Sequence, residues 1–281
     1  MAHPHRAIVL AAGLAIALAF APLVVPPTAV RAADRSPPNQ TGAPATPAGT
    51  LSDEERAAGF KSLFDGHSTD AWRAWDGKAF PKKGWVVEDG CLKCEASNGR
   101  PNGGGGDLVT RDEFVAFDLR WEWKISPKGN SGLKYFLRKQ GKEFVPLYAG
   151  DKGKDYLGHE YQMLDDEGHP DGKRGGNHVT GSFYDILPPN DTKAVRPVGQ
   201  FNESRILVRG DHVEHWLNGK KVVEFDLGSE TLNAAIQKSK YHKLPGFGTK
   251  IKTAFLLQDH GTEVWFRNVR VRDLSADAPA K

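Results

Sequence analysis

Between Val115 and Ile125 the chain alternates without a break. Val115, Phe117, Leu119, Trp121, Trp123 and Ile125 take one parity, and Ala116, Asp118, Arg120, Glu122 and Lys124 the other. A strand sends successive side chains to opposite faces, whereas a helix would scatter these aromatics round its circumference. The segment predicts a strand with one buried face, and such a face needs a second apolar layer to cover it. Leu133–Arg138 repeats the pattern, with Leu133, Tyr135 and Leu137 opposite Lys134, Phe136 and Arg138. Arg205–Arg209 and His212–Leu217 read as short strands around Gly210-Asp211. Asn218-Gly219 then turns the chain into Lys221–Asp226, and Asp89-Gly90 joins Trp85–Glu88 to Cys91–Glu95. Asn-Gly and Asp-Gly fit tight hairpins because their central positions need positive φ. Lys250–Gln258 and Glu263–Arg272 predict the last strands, and only Ser229–Lys243 reads as helix. Many strands with almost no helix define an all-β sandwich or barrel.

Composition excludes other classes. Seven Trp and fourteen Phe suffice for a packed core. Lys plus Arg is 38 against 35 Asp plus Glu, a formal net charge of +3, which gives no reason to expect nucleic acid. Two Cys cannot make a disulfide scaffold. One long apolar run exists, at the start. Arg6 precedes Ile8–Val25, and Val30-Arg31-Ala32 forms a small-residue cleavage site. That is the build of a secretory signal peptide, residues 1–32. The expectation is an exported, periplasmic or extracellular protein with no membrane insertion after cleavage, and an uncleaved membrane anchor is the alternative. Residues 33–51 are rich in Pro, Ala and Thr and read as a flexible linker. Ser52-Asp53-Glu54-Glu55 is a capping box that opens the folded domain, residues 52–275, followed by a tail over 276–281.

Candidate chemistry is polar and sits near strand ends. Within Glu160-Tyr161-Gln162-Met163-Leu164-Asp165, Glu160 and Gln162 share a strand face, and Asp165 joins them only across a bulge. The spacing resembles the Glu-x-Asp-x-x-Glu of retaining glucanases, which need a close carboxylate pair. Here the middle position is Gln162, so the ordinary retaining mechanism lacks its helper. Gln258-Asp259-His260-Gly261 ends a strand with Gln258 and His260 on one face, and His is the side chain poised to titrate near neutrality. Asn130-Ser131-Gly132 leads into Lys134, and Thr180–Tyr184 brings Tyr184 to bind a sugar ring or donate a proton. Asn102-Gly-Gly-Gly-Gly-Asp107 lacks the Lys-Ser/Thr of a phosphate loop and reads as a mobile loop, and no nucleotide cofactor is expected. Cys91 and Cys94, three apart in a strand, point to opposite faces and do not read as a redox pair.

Ten segments in order carry a resemblance. They are Phe60–Gly66, Trp85–Gly90, Leu108-Val109-Thr110, Trp121–Lys124, Gly129–Gly132, Glu160–Asp165, Thr180-Gly181, Leu217-Asn218-Gly219, Gln258–Gly261 and Phe266–Val271. Over about Gly59–Leu274 the chain resembles the 3-keto-disaccharide hydrolase family. The resemblance implies a concanavalin A-like jelly-roll β-sandwich of two antiparallel sheets, and action on sugars already oxidised at C3. Gly141–Asp155 reads as a loop extension beyond that pattern.

A ketone at C3 acidifies the proton on C2. A base removes it, the bond to the aglycone at C1 breaks by elimination, and water adds back, so no paired carboxylates are needed. The acid/base candidates are Glu160 and His260. Lys134, or a divalent metal ion held by Glu122, Glu160 or Asp165, would stabilise the enolate. Glu122, Asn130, Arg138, Gln162, Tyr184 and Gln258 are assigned to sugar binding. Strand parity places Glu122, Lys134, Glu160 and Gln258 on a shared face. A near-zero charge balance fits a neutral sugar substrate, for which steering by charge brings nothing. A non-catalytic sugar-binding module and an ordinary jelly-roll glycoside hydrolase are the alternatives, because a lectin-like sandwich does not fix its function.

Overall fold

The structure is a computed structural model that describes residues 49–77, 79–100, 104–139 and 156–277. The expected signal peptide, nearly all of the linker and the Gly141–Asp155 extension lie outside the described residues. Thirteen strands follow in order: β1 Lys61–Phe64, β2 Trp72–Ala74, β3 Trp85–Glu88, β4 Cys91–Cys94, β5 Leu108–Thr110, β6 Phe117–Ile125, β7 Asn130–Lys139, β8 Tyr156–Leu164, β9 Asn202–Arg209, β10 His212–Leu217, β11 Lys220–Asp226, β12 Leu256–Leu257 and β13 Val264–Asp273. Two short α-helices, α1 Asp53–Ala57 and α2 Glu230–Gln237, and three 3-10 turns accompany them among the described residues. Both start as their caps direct: Ser52 and Glu55 close a reciprocal capping box, and the Ser229 side chain accepts from the Leu232 amide.

Two antiparallel sheets face each other. The larger runs β11-β10-β9-β6-β13-β4-β3, with β1 also paired to β13; the smaller runs β2-β5-β12-β7-β8. This is the expected jelly-roll sandwich. Asp89 (φ 50°) with Gly90 (φ 70°), and Asn218 (φ 49°) with Gly219 (φ 78°), make the two predicted tight turns. The apolar parity of β6 fills the space between the sheets, where Trp121 and Trp123 are fully buried. The Trp121 indole N–H donates to Met163 Sδ at 3.4 Å, and the Trp123 indole donates to Ser204 Oγ at 2.8 Å. Their indole N–H groups thus find partners in the dry interior, as buried donors must.

Two strand expectations need correction. Lys250–Gln258 contracts to Leu256–Leu257, because only these two residues pair with both β5 and β7. In β7 the alternation breaks at a bulge between Tyr135 and Arg138. Phe136 takes φ 51° there and turns into the core beside Tyr135, while Leu137 moves to the outer face with Val109, Ala254 and Leu256. A bulky residue at positive φ is strained, and bulges re-aim the side chains that follow them.

Candidate active site

The site lies on the outer face of the five-stranded sheet. Leu133, Tyr135, Tyr161 and Met163 of β7 and β8 point into the core. Period 2 therefore sends Gly132, Lys134, Glu160 and Gln162 outward. The β7–β8 register sets Gly132 opposite Gln162 and Lys134 opposite Glu160. On the other side of β7, Leu256 pairs with Lys134, and the Gln258 amide donates to the Gly132 carbonyl at 3.0 Å. Lys134, Glu160, Gln162 and Gln258 floor a cleft of about 700 Å³. Its walls come from three loops. One brings His169, Asp171, Arg174, Tyr184 and Asp185, the second Lys240 and Tyr241, and the third Asp259 and His260.

Lys134 Nζ stands 3.6 Å from Glu160 Oε2, and both side chains are about nine-tenths buried. Gly132 gives the glutamate its space, since a Cβ there would lie 2.6 Å from Glu160 Oε1. Burial is the main cause of a lowered His260 pKa; Glu160 pulls it back up and Lys134 pushes it further down. The ring is thereby kept neutral and ready to accept a proton. Three amide oxygens are buried without a hydrogen-bond partner among the described residues: Asn130 Oδ1, Gln162 Oε1 and Gln258 Oε1. All three residues line the cleft. Buried acceptors are normally satisfied, so three in one cleft mark where donors from water or a ligand belong.

Asp259, fully buried, organises the third wall. Its carboxylate accepts from the amides of Gly104, Gly106 and Gly261 at 3.3, 3.2 and 2.9 Å. The Trp85 indole also donates to the Gly106 carbonyl at 2.7 Å. The expected mobile loop is therefore corrected over Gly104–Asp107, which is tied down; residues 101–103 lie outside the described set. Cys91 and Cys94 are both buried, and burial pushes both thiols above their ordinary pKa, which leaves neither as a reactive thiolate.

Of the sequence candidates, Lys134, Glu160, His260, Asn130, Gln162, Tyr184 and Gln258 meet in this cleft, and three do not. Glu122 projects from β6 on the outside of the larger sheet, where Arg267 Nε holds it at 2.8 Å and Asn268 donates to its other oxygen. The thickness of the sandwich separates it from Glu160. Parity sorted its face correctly but could not say which sheet β6 would join. Arg138 follows the bulge, which carries its guanidinium away to Thr249 Oγ1 at 2.6 Å. Asp165 ends β8 and accepts the amides of Lys128 and Gly168 at 2.7 and 2.9 Å. Burial opposes its charge, but these amides outweigh burial and hold its carboxyl below the ordinary value. Glu122, Glu160 and Asp165 thus do not converge as a metal site. Tyr184 is in place, but its hydroxyl donates to Asp171 Oδ2 at 2.6 Å. Burial and that bond raise its pKa well above normal, so its proton is held rather than offered.

Sequence reading missed His169, Asp171, Arg174, Asp185, Lys240 and Tyr241. They sit on loops and a single 3-10 turn, Gly172–Arg174, where periodicity gives no signal. In the structure Asp185 takes a φ of 64° that a non-glycine rarely adopts, which the sequence does not announce.

An outward polar cleft with unpartnered amide oxygens, on a two-sheet sandwich, has the form of a small-molecule site. The comparisons narrow that class. The model of the 3-keto-alpha-glucoside-1,2-lyase-like domain matches residues 59–272, and the chain belongs to this family. It is 35% identical over 239 residues to a 3-keto-disaccharide hydrolase of Bacteroides thetaiotaomicron, covering 78% of this chain and 79% of that one. A solved structure from Parabacteroides distasonis, described as a candidate glycosyl hydrolase, is 33% identical with a TM-score of 0.67, covering 81% of this chain and all of that one. A second from the same organism is 24% identical with a TM-score of 0.53, covering 76% and 99%.

Proposed function

We propose that this domain cleaves the glycosidic bond of 3-keto-glycosides by deprotonation at C2, elimination at C1 and addition of water. The observation that carries the reading is the convergence of Glu160, Lys134 and His260 on one cleft floored by unpartnered amide oxygens. Membership of a lyase-like family and likeness to a protein named a hydrolase support it from two sides, since elimination followed by hydration is net hydrolysis.

His260, kept neutral by burial, enters as a proton acceptor, and Glu160 across the floor is the second proton carrier. One proton leaves C2 and one reaches the departing aglycone oxygen. The electron pair from the C2–H bond moves toward the C3 oxygen, where a cation of the cleft meets the charge. Asn130, Gln162 and Gln258 accept from sugar hydroxyls. A divalent cation, where one takes part, would draw on the Glu160 carboxylate and these amide oxygens, which are hard donors of the kind such ions take. Bound there, it would polarise the C3 carbonyl. The amino-terminal residues support export as the setting for this activity.

The test is incubation with a 3-keto-glucoside and the matching plain glucoside, each with and without chelator. Aglycone release from the 3-keto-glucoside alone is expected. Equal release from both would refute the role of the ketone, and binding without release from either would make the domain a sugar-binding module.

A further inference from the structure

We propose that Lys240 is a further catalytic residue of this cleft, its ammonium donating to the substrate oxygen that becomes negative when the C2 proton leaves. The inference rests on the reading above and assigns the charge-bearing step to a group outside the sheet.

Lys240 lies just beyond α2 on a backbone tied from both sides. Its own amide donates to Asp185 Oδ2 at 2.8 Å, and Asp185 Oδ1 is 3.2 Å from His178 Nε2. The neighbouring Tyr241 ring stacks on Phe247 at 4.3 Å, and the Tyr241 amide donates to Ser239 Oγ at 3.1 Å. Asp185 makes its two contacts from a φ of 64°, a strained conformation worth maintaining only if the surroundings require it. The outcome is that Lys240 reaches into the cleft from a fixed origin.

Its Nζ lies 4.4 Å from the centroid of the Tyr184 ring and 5.0 Å from that of Tyr241. Aromatic faces attract a cation without using its N–H groups. No hydrogen bond or ion pair from this ammonium to a described residue completes the set, which distinguishes it from the other cations of the cleft. Lys134 is 3.6 Å from Glu160, and Arg174 is bound to Asp171 at 2.7 Å. An ammonium carries three donors, and a partly buried one without acceptors is costly. A substrate oxygen is the acceptor this geometry calls for.

Electrostatics agree. Burial lowers the Lys240 pKa most, Lys134 adds to the lowering, and Glu160, Asp185 and Asp171 oppose it. An ammonium weakened in its hold on the proton is a stronger hydrogen-bond donor. Lys134 is already balanced by Glu160, so the cation with charge to spare is Lys240. The electron count closes without a redox partner. The C2–H pair becomes the C2–C3 π bond, and the carbonyl π pair moves onto the C3 oxygen held by Lys240. That pair then returns, C1–C2 becomes the double bond, and the C1–O pair departs with the aglycone oxygen, which takes a proton.

The experiment compares the wild-type protein with Lys240→Met and Lys240→Arg on a 3-keto-glucoside. It reads steady-state kinetics, and by NMR the exchange of the C2 hydrogen for deuterium in heavy water. Lys240→Met is expected to lower kcat by about a hundred- to a thousand-fold and C2 exchange with it, while KM shifts by no more than about threefold. Lys240→Arg keeps the charge and should recover at least a tenfold part of the loss. Circular dichroism and the melting temperature establish that each variant folds; should the Met variant not fold, Lys240→Gln takes its place. A kcat within threefold of wild type, or a loss confined to KM, overturns the role of Lys240 alone. A wild-type protein inactive on the 3-keto-glucoside overturns the proposed function, and this inference with it.

Discussion

Two histidines buried between the sheets make the fold sensitive to acid. His159 of β8 packs against Tyr135, Phe136, Phe183 and Phe247, with ring centroids 4.7 to 5.3 Å away. Its Nε2 accepts from the Gly248 amide at 3.2 Å, and its Nδ1 has no partner among the described residues. His215 of β10 meets Tyr135 Oη through Nε2 at 2.9 Å. Burial is the leading cause that pushes His159 from 6.5 to about 3 and His215 from 6.5 to about 4. Both are therefore neutral in the folded chain at pH 5, while the unfolded chain protonates them below 6.5. The unfolded state then binds more protons, so stability falls as pH falls. The loss begins near 6.5 and continues down to the folded values. Each pH unit in that window is worth about 1.4 kcal/mol per histidine. Between neutrality and pH 5 each should remove about 2 kcal/mol, about 4 together, from a total stability of about 5–15 kcal/mol. Urea unfolding at pH 7.5 and pH 5 measures this, with His159→Phe as the comparison. The variant loses an acceptor for Gly248 and starts less stable, but its stability should fall by about 2 kcal/mol less over the same interval. An unchanged pH dependence in His159→Phe would refute the assignment of that loss to a buried neutral ring.

Three further outcomes follow from the site. Gly132→Ala puts a methyl where Glu160 Oε1 lies at 2.6 Å, so the carboxylate must move; kcat should fall about tenfold or more, with the melting temperature little changed. Asp259→Ala strips the acceptor from three glycine amides and should cost about 2–4 kcal/mol in urea unfolding while loosening the wall that carries His260. Glu122→Gln, on the far side of the sandwich, should leave kcat/KM on a 3-keto-glucoside unaltered; a large drop would mean that the site has been placed on the wrong sheet.

Much of the fold was legible because β6, the Asp89-Gly90 and Asn218-Gly219 turns, and the Ser52 and Ser229 caps are local signals. The floor of the cleft was legible for the same reason: parity alone puts Glu160 with Gln162 and aligns Lys134. Arg138 escaped because one strained residue, Phe136, inverts the parity behind it, and no pattern in Leu133–Arg138 announces that. Glu122 escaped because parity gives a face and not a sheet. Lys240 and Asp185 escaped because they reach the cleft through tertiary folding of loops, and neither spacing nor composition records which loops will close over a sheet.

The pairing of Lys134 with Glu160 across β7 and β8 has one more consequence. The spacing of these two groups is set by the repeat of the sheet itself, while the walls of the cleft, Lys240 and His260 among them, belong to loops hung from the strand ends. The two can change separately. Altering the segment around His169 would reshape one wall of the cleft without disturbing the distance between the groups on the floor. The floor can thus stay fixed while the part of the rim around His169, which carries no group assigned to the chemistry, varies.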